Sequence, residues 1–232
     1  TDTEKKSFIS SLGLDAFKLF YQPKMALFFL FSMFLGASLQ LTNMYGDVFI
    51  SDFKNIPEYA NLWVVEHSTI IMSISQISET IFILAIPFFL RNFGIKKVML
   101  ISMAAWVLRF GLLAYGNPAD GLWMIIVSCI VYGMAFDFFN ISGSLFVETT
   151  TDAKTRSSAQ GLFMMMTNGF GAVLGSYVSG ILITAYFTES NGEKDWLNIW
   201  LTFAGYSFVI LVLFALFFKH KHDKEALKNL KH

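Results

Sequence analysis

One cysteine, four prolines and only 15% charged residues stand in a chain of 232. Each scarcity excludes something. A single Cys129 admits no disulfide within the chain, and neither the Cys-x-x-Cys nor the His-rich spacings of a metal site are present. Four prolines leave long stretches free to continue as helix. Few charges, set against 55% apolar residues and 26 phenylalanines, depart from the balance of a water-soluble domain. No nucleophile–base pair and no dinucleotide fingerprint is found, so the sequence does not read as an enzyme and no cofactor or nucleic-acid partner is expected.

The missing charges are missing in blocks. Cutting the chain at its ionised residues leaves six runs: Lys24 to Asp47, Glu66 to Arg91, Lys97 to Asp120, Asp120 to Glu148, Arg156 to Glu189 and Asp195 to Lys219, with interiors of 22 to 32 residues. A helix of roughly 20 apolar residues crosses the hydrocarbon of a bilayer, and in lipid each backbone amide must be satisfied within the segment. The expectation is an all-α membrane protein with six transmembrane helices, at about 25–48, 64–90, 97–116, 121–147, 157–187 and 196–218. A transmembrane barrel would need short alternating strands, and runs such as "MALFFLFSMFLG" do not alternate.

Basic residues are retained on the cytoplasmic side of a membrane. Residues 1–24, the 91–97 and 148–156 loops and the segment from Lys219 hold 14 of the 17 Lys and Arg, whereas the opposite loops hold Lys54 and Lys194. Both ends are therefore expected on the cytoplasmic side, with residues 1–24 as a linker and 220–232 as a tail. The amino end shows no signal-peptide pattern. Leu12, Leu14, Phe17 and Phe20 fall at near-helical spacing, as in an amphipathic stretch lying along the membrane surface.

Inside the spans the polar residues are few and regularly placed. Ser73, Gln76, Glu79 and Thr80 fall on one helical face. Gln40 and Asn43 do the same on the first span, with Asp47 a turn further on. Gly133, Asp137, Asn140 and Ser144 form a stripe on the fourth, beside Tyr132 and Phe136, and the fifth offers Thr167 and Asn168. Ionisable groups at mid-membrane are costly and mark solute or proton paths. Amides donate and accept, aromatic rings stack, and carboxylates take up and release protons, a set suited to an uncharged hydrogen-bonding ring compound. The plainer alternatives are helix-to-helix bonding by the amides, pairing of Glu79 or Asp137 with Arg109, and a snorkelling or interhelical structural role for Arg109. Gly171 and Gly175 form a small-xxx-small pair that permits close helix approach, and Pro87 predicts a bend in the second span.

The loop "FLRNFGIKKVM" resembles a degenerate copy of the cytoplasmic loop motif of the major facilitator superfamily. The stretches "LGLDAFKLF", "GASLQLTNMYGD", "IIMSISQISETIFILAIPFFL", "VYGMAFDFFNISGSLFVE" and "SAQGLFMMMTNGFG" resemble the carboxyl-terminal half of bacterial nucleoside:proton symporters of the NupG type, from about Ser11 to about His222. That resemblance implies one six-helix half of a twelve-helix inner-membrane carrier, with nucleoside held between the halves and alternating access by rocking. It implies a substrate site of Gln40, Asn43, Gln76, Glu79, Tyr132, Phe136 and Asp137, and Glu79 and Asp137 as the proton-coupling groups. Nucleoside and protons are then the expected partners, together with an amino-terminal half or a second copy of this one. The alternatives are a facilitator for a sugar or drug and a membrane scaffold without transport.

Overall fold

The computed structural model describes residues 14–220, and all regular elements among them are helical. The single strand-like contact described is a bridge between Thr188 and Lys194. A short 3-10 helix, Leu14–Tyr21, leads into α1, Pro23–Asp52, whose proline occupies the first turn, where no amide partner is lost. After a single turn at Trp63–Glu66 comes α2, Ser68–Tyr115, and then α3, Leu122–Thr150. The next stretch is α4, Arg156–Met164, a π-helical turn Met165–Gly171, and α5, Ala172–Tyr186. The last is α6, Trp196–Phe217, capped where the Asp195 carboxylate accepts from the Asn198 amide at 3.1 Å.

Among the described residues five helical stretches are long and apolar enough to cross a membrane, rather than the six expected. The difference lies in α2. Helical geometry continues through the charged segment around Arg91 and Lys96, and the one residue that leaves it is Gly94, at φ 76° and ψ 168°. Only glycine adopts that conformation without a steric penalty. Pro87, where a bend was expected, stays within the helix.

The contacts along α3 show what the glycine does. In the first arm of α2, Ser78 donates to the Ile130 carbonyl and Phe82 meets Phe138, so the register on α3 climbs. In the second arm, Ser102 donates to the Ala135 carbonyl, Trp106 meets Tyr132 and Arg109 donates to the Ser128 carbonyl, so it descends. The chain reverses at Gly94, and both arms flank α3.

One end of the bundle gathers Lys24 Nζ, 3.0 Å from His220 Nδ1, with the rings of Phe28, Phe146 and Phe218 packed together. Lys96 reaches the Ala215 carbonyl near it at 3.0 Å. At the opposite end Asp52 accepts from Lys194 at 2.9 Å and from the Trp196 indole at 3.0 Å. Helices α1 and α6 thus run antiparallel between the two ends.

Between them the core is aromatic: Phe28, Phe29, Phe110, Phe138, Phe163, Trp106 and Trp200 are fully buried. Lipid is as apolar as these side chains, so close packing rather than escape from water holds them. Glycine permits the closest approach. A Cβ on Gly36 would lie 2.0 Å from the Thr167 carbonyl oxygen, and one on Gly171 2.5 Å from that of Met33. Large apolar side chains such as Leu84, Ile81 and Val173 point outward, as on a lipid-facing surface.

The leading 3-10 helix buries Ala16 and Leu19 and exposes Phe17 and Phe20. Leu12 and the segment from Lys221 onward lie outside the described residues.

Candidate functional site

Two helices meet at the polar stripes. On the first arm of α2, Ser73, Gln76 and Thr80 are exposed and Glu79 is half-buried. The opposing face of α3 has no side chain at Gly133, where a Cβ would sit 2.5 Å from the Ser78 backbone. With the Ser78 hydroxyl bonded to the Ile130 carbonyl, that missing side chain sets the two backbones close together. Glu79 is thereby brought near the Tyr132 hydroxyl, within electrostatic range of it.

One and a half turns further along α3, Asp137 is buried, within electrostatic range of Glu79. One of its carboxylate oxygens has no hydrogen-bond partner. A buried polar atom left unsatisfied is uncommon and costly, and such atoms recur at working sites. Phe136 lies parallel to Tyr132, at 6.0 Å between centroids and 6° between planes. The rings and the two acids therefore form one cluster.

The three amides are less enclosed. Gln40 is half-buried and Asn43 exposed, and neither makes a hydrogen bond to a described residue; Gln76 is exposed, one helical turn from Glu79. Gly36, Gln40 and Asn43 share one stripe of α1. Gly36 and Leu39 border a cleft that also receives Phe136, Trp106, Asn140 and Asn168. Asn140 donates to the Phe136 carbonyl at 3.2 Å, leaving its own oxygen unused. Asn168 touches only the Met164 sulfur, at 3.6 Å.

Arg109 takes the interhelical one of the roles expected for it. It neither snorkels nor pairs with an acid: it is 0% exposed, and neither Glu79 nor Asp137 forms a salt bridge with it. Nη1 donates to the Ser128 carbonyl at 2.6 Å and Nε to Thr42 Oγ1 at 3.4 Å, while the guanidinium lies 4.6 Å from the Tyr132 ring centroid. The interhelical part of the expectation describes it, since it bridges α1 and α3. Its length reaches across the bundle, and polar atoms inside meet it.

Two features had no usable sequence signal. Trp106 looks like any core aromatic until its ring is found edge-on to Tyr132 at 5.8 Å. The π turn that carries Thr167 and Asn168 is set by packing against Gly36 rather than by composition; such turns are frequent at functional sites. Among the described residues, no group of three His, Cys, Asp or Glu gathers as metal ligands would.

Comparison with known proteins places this geometry. The family model described as nucleoside H+ symporter matches residues 1–223. The nucleoside permease NupG of Escherichia coli strain K12 is 56% identical over 218 residues, covering 94% of this chain and 52% of the permease. The xanthosine permease of the same organism is 55% identical over 230 residues, 97% of this chain and 54% of its own length. A crystal structure of a point mutant of the nucleoside transporter NupG superimposes with a TM-score of 0.89 at 54% identity, over 94% of this chain and 54% of that one. The chain thus spans about half the length of the curated relatives it matches. With the family model matching nearly end to end, this chain belongs to the nucleoside H+ symporter family.

Proposed function

We propose that this chain works as the carboxyl-terminal half of a proton-coupled nucleoside importer in a bacterial inner membrane. Counting the two arms of α2 as separate passes gives six, and an even number agrees with Lys24 and His220 meeting at one end of the bundle. The excess of basic residues at that end makes it the cytoplasmic one. The polar stripes then look toward a partner half, and nucleoside is held between the two.

The observation that carries the reading is the cluster of Glu79, Tyr132, Phe136 and Asp137, in which two carboxylates on different helices share one aromatic site. In this reading the Phe136 and Tyr132 rings border the base. Gln40, Asn43 and Gln76, exposed or half-buried and without competing bonds across helices, meet sugar hydroxyls and base edges. Glu79 and Asp137, within electrostatic range of each other, are the two groups of this cluster able to take up and release a proton.

The test is uptake of a labelled nucleoside by the intact carrier with and without an inward proton gradient. Asp137→Asn and Glu79→Gln are expected to abolish gradient-driven accumulation in at least one case, with folded protein still in the membrane. Unchanged accumulation in both removes the coupling role. Competition by sugars but not by nucleosides would favour the sugar-facilitator alternative.

A further inference from the structure

Among the described residues, Arg109 is a fully buried cation that the transport scheme does not use. Arg109 has no contact with solvent, and no acid neutralises it. One of its terminal nitrogens, Nη2, makes no hydrogen bond, although the Cys129 side chain lies close to the guanidinium. Removing a guanidinium from water costs several kcal/mol per ion unless attraction and hydrogen bonds repay it, and here they repay it only in part. A methionine of similar volume would fill the same space without that cost. The charge sits with its guanidinium carbon over the Tyr132 ring, 4.6 Å from the centroid.

Tyr132 is enclosed on three sides. Arg109 covers its face, Trp106 stands edge-on at 5.8 Å and Phe136 stacks parallel at 6.0 Å. Its hydroxyl lies within electrostatic range of Glu79. Arg109 is itself anchored from two other helices, by the Ser128 carbonyl of α3 and the Thr42 hydroxyl of α1. A cation over an aromatic face, without water between, is attracted by the ring quadrupole and resists rotation of the ring away from it.

We propose that Arg109 is a positioning residue for nucleoside binding: it clamps the Tyr132 ring so that its hydroxyl meets Glu79 and its neighbour Phe136 presents a fixed face to the base. The inference rests on the reading of Glu79, Tyr132 and Phe136 as substrate-facing. Arg109 touches no substrate itself. It acts through Tyr132, and it makes the affinity of the site depend on a residue of the second arm of α2.

The experiment is equilibrium binding of uridine and adenosine to the purified intact carrier, with the thermal midpoint in detergent measured beside it. Arg109→Met is expected to weaken binding about tenfold, as loss of a desolvated cation–π contact implies, and Arg109→Lys, which keeps the charge but not the planar fork that holds Ser128 and Thr42, about threefold. Arg109→Met should melt no lower than the parent, because replacing a buried charge by an apolar residue is neutral or stabilising. In a Tyr132→Ala background Arg109→Met should have no further effect on affinity. Affinity within twofold of the parent for both arginine variants overturns the proposal, as does an effect that adds in full to that of Tyr132→Ala. A parent carrier that binds neither nucleoside refutes the reading of the site itself, a distinct outcome. Should neither arginine variant fold, Thr42→Val leaves the guanidinium in place but free on one side; it is expected to weaken binding about threefold, and unchanged affinity overturns the proposal.

Discussion

The two arms of α2 are of similar length and hydropathy, and each carries one ionisable residue within its apolar run, yet they do opposite things. The first arm buries Ser68, Ile71, Ser75, Ser78, Ile86 and Leu90, few of them large, and leaves Gln76 exposed and Glu79 half-buried. The second arm buries Val98, Met99, Met103, Trp106, Phe110 and Leu113, and encloses Arg109 completely. Phe110 stacks on Trp200 of α6, so the second arm is packed from α3 and from α6, whereas the first is packed from α3 and meets α1 near its start, where Ser68 bonds Ser51, Thr69 donates to Asp47 and Met72 lies against Gly46. The lesson is that a charge in a membrane helix has no fixed meaning. Its role follows from how many neighbours its helix has.

That contrast can be broken most sharply by exchanging charge between the arms. Met103 is fully buried, so Met103→Glu places a carboxylate where no partner exists. On the scale for helix centres this costs about 2.5–3.5 kcal/mol, and the variant should unfold at markedly lower temperature or denaturant in detergent. Glu79→Gln on the open arm should leave the midpoint nearly where it was. Equal stability of the two variants would show that the arms do not differ in packing as described.

A second exchange uses glycine, at a smaller scale. Gly133→Ala would push a methyl to 2.5 Å from the Ser78 carbonyl carbon and 2.6 Å from its oxygen. Backbone cannot swing aside, so the first arm and α3 must separate, at about 1–3 kcal/mol for overpacking. Gly111, on the second arm, has nothing within 4 Å of where an added methyl would sit. Gly111→Ala should therefore gain up to about 1 kcal/mol of helix propensity. Thermal midpoints moving in opposite directions would support the contrast, and a fall for both would count against it.

Much of this architecture is visible in the amino acids, and the reasons for the rest are physical. Long apolar runs between charges mark helices because lipid allows little else, and the i, i+3 spacing of Gln76 and Glu79 marks a face. Tertiary approach is another matter. Nothing local says that Tyr132 meets Glu79, since the meeting depends on the absent side chain of Gly133 opposite Ser78. Nothing local separates a snorkelling Arg109 from an enclosed one, because both fit an apolar run with a cation inside it. The π turn at Thr167 is likewise hidden, being a consequence of the backbone contact with Gly36. The segment "FLRNFGIKKVM" reads as a loop on its charges, whereas the backbone stays helical on both sides and turns at a single residue.

The smallest predicted effect tests that single residue, which separates the arms. At φ 76° Gly94 occupies backbone space that costs a side chain of the L series about 1 kcal/mol or more. Gly94 is buried, with Lys96 bonded to the Ala215 carbonyl two residues on, so the reversal has little room to relax. Gly94→Ala should lower the thermal midpoint by a few degrees while leaving nucleoside binding intact, because Glu79 lies several turns away. If instead binding fell and stability held, the glycine would be a moving joint between the arms rather than a fixed corner. A more stable Gly94→Ala would mean that the arms prefer one continuous helix, and the distinction between an open arm and an enclosed one would lose its structural cause.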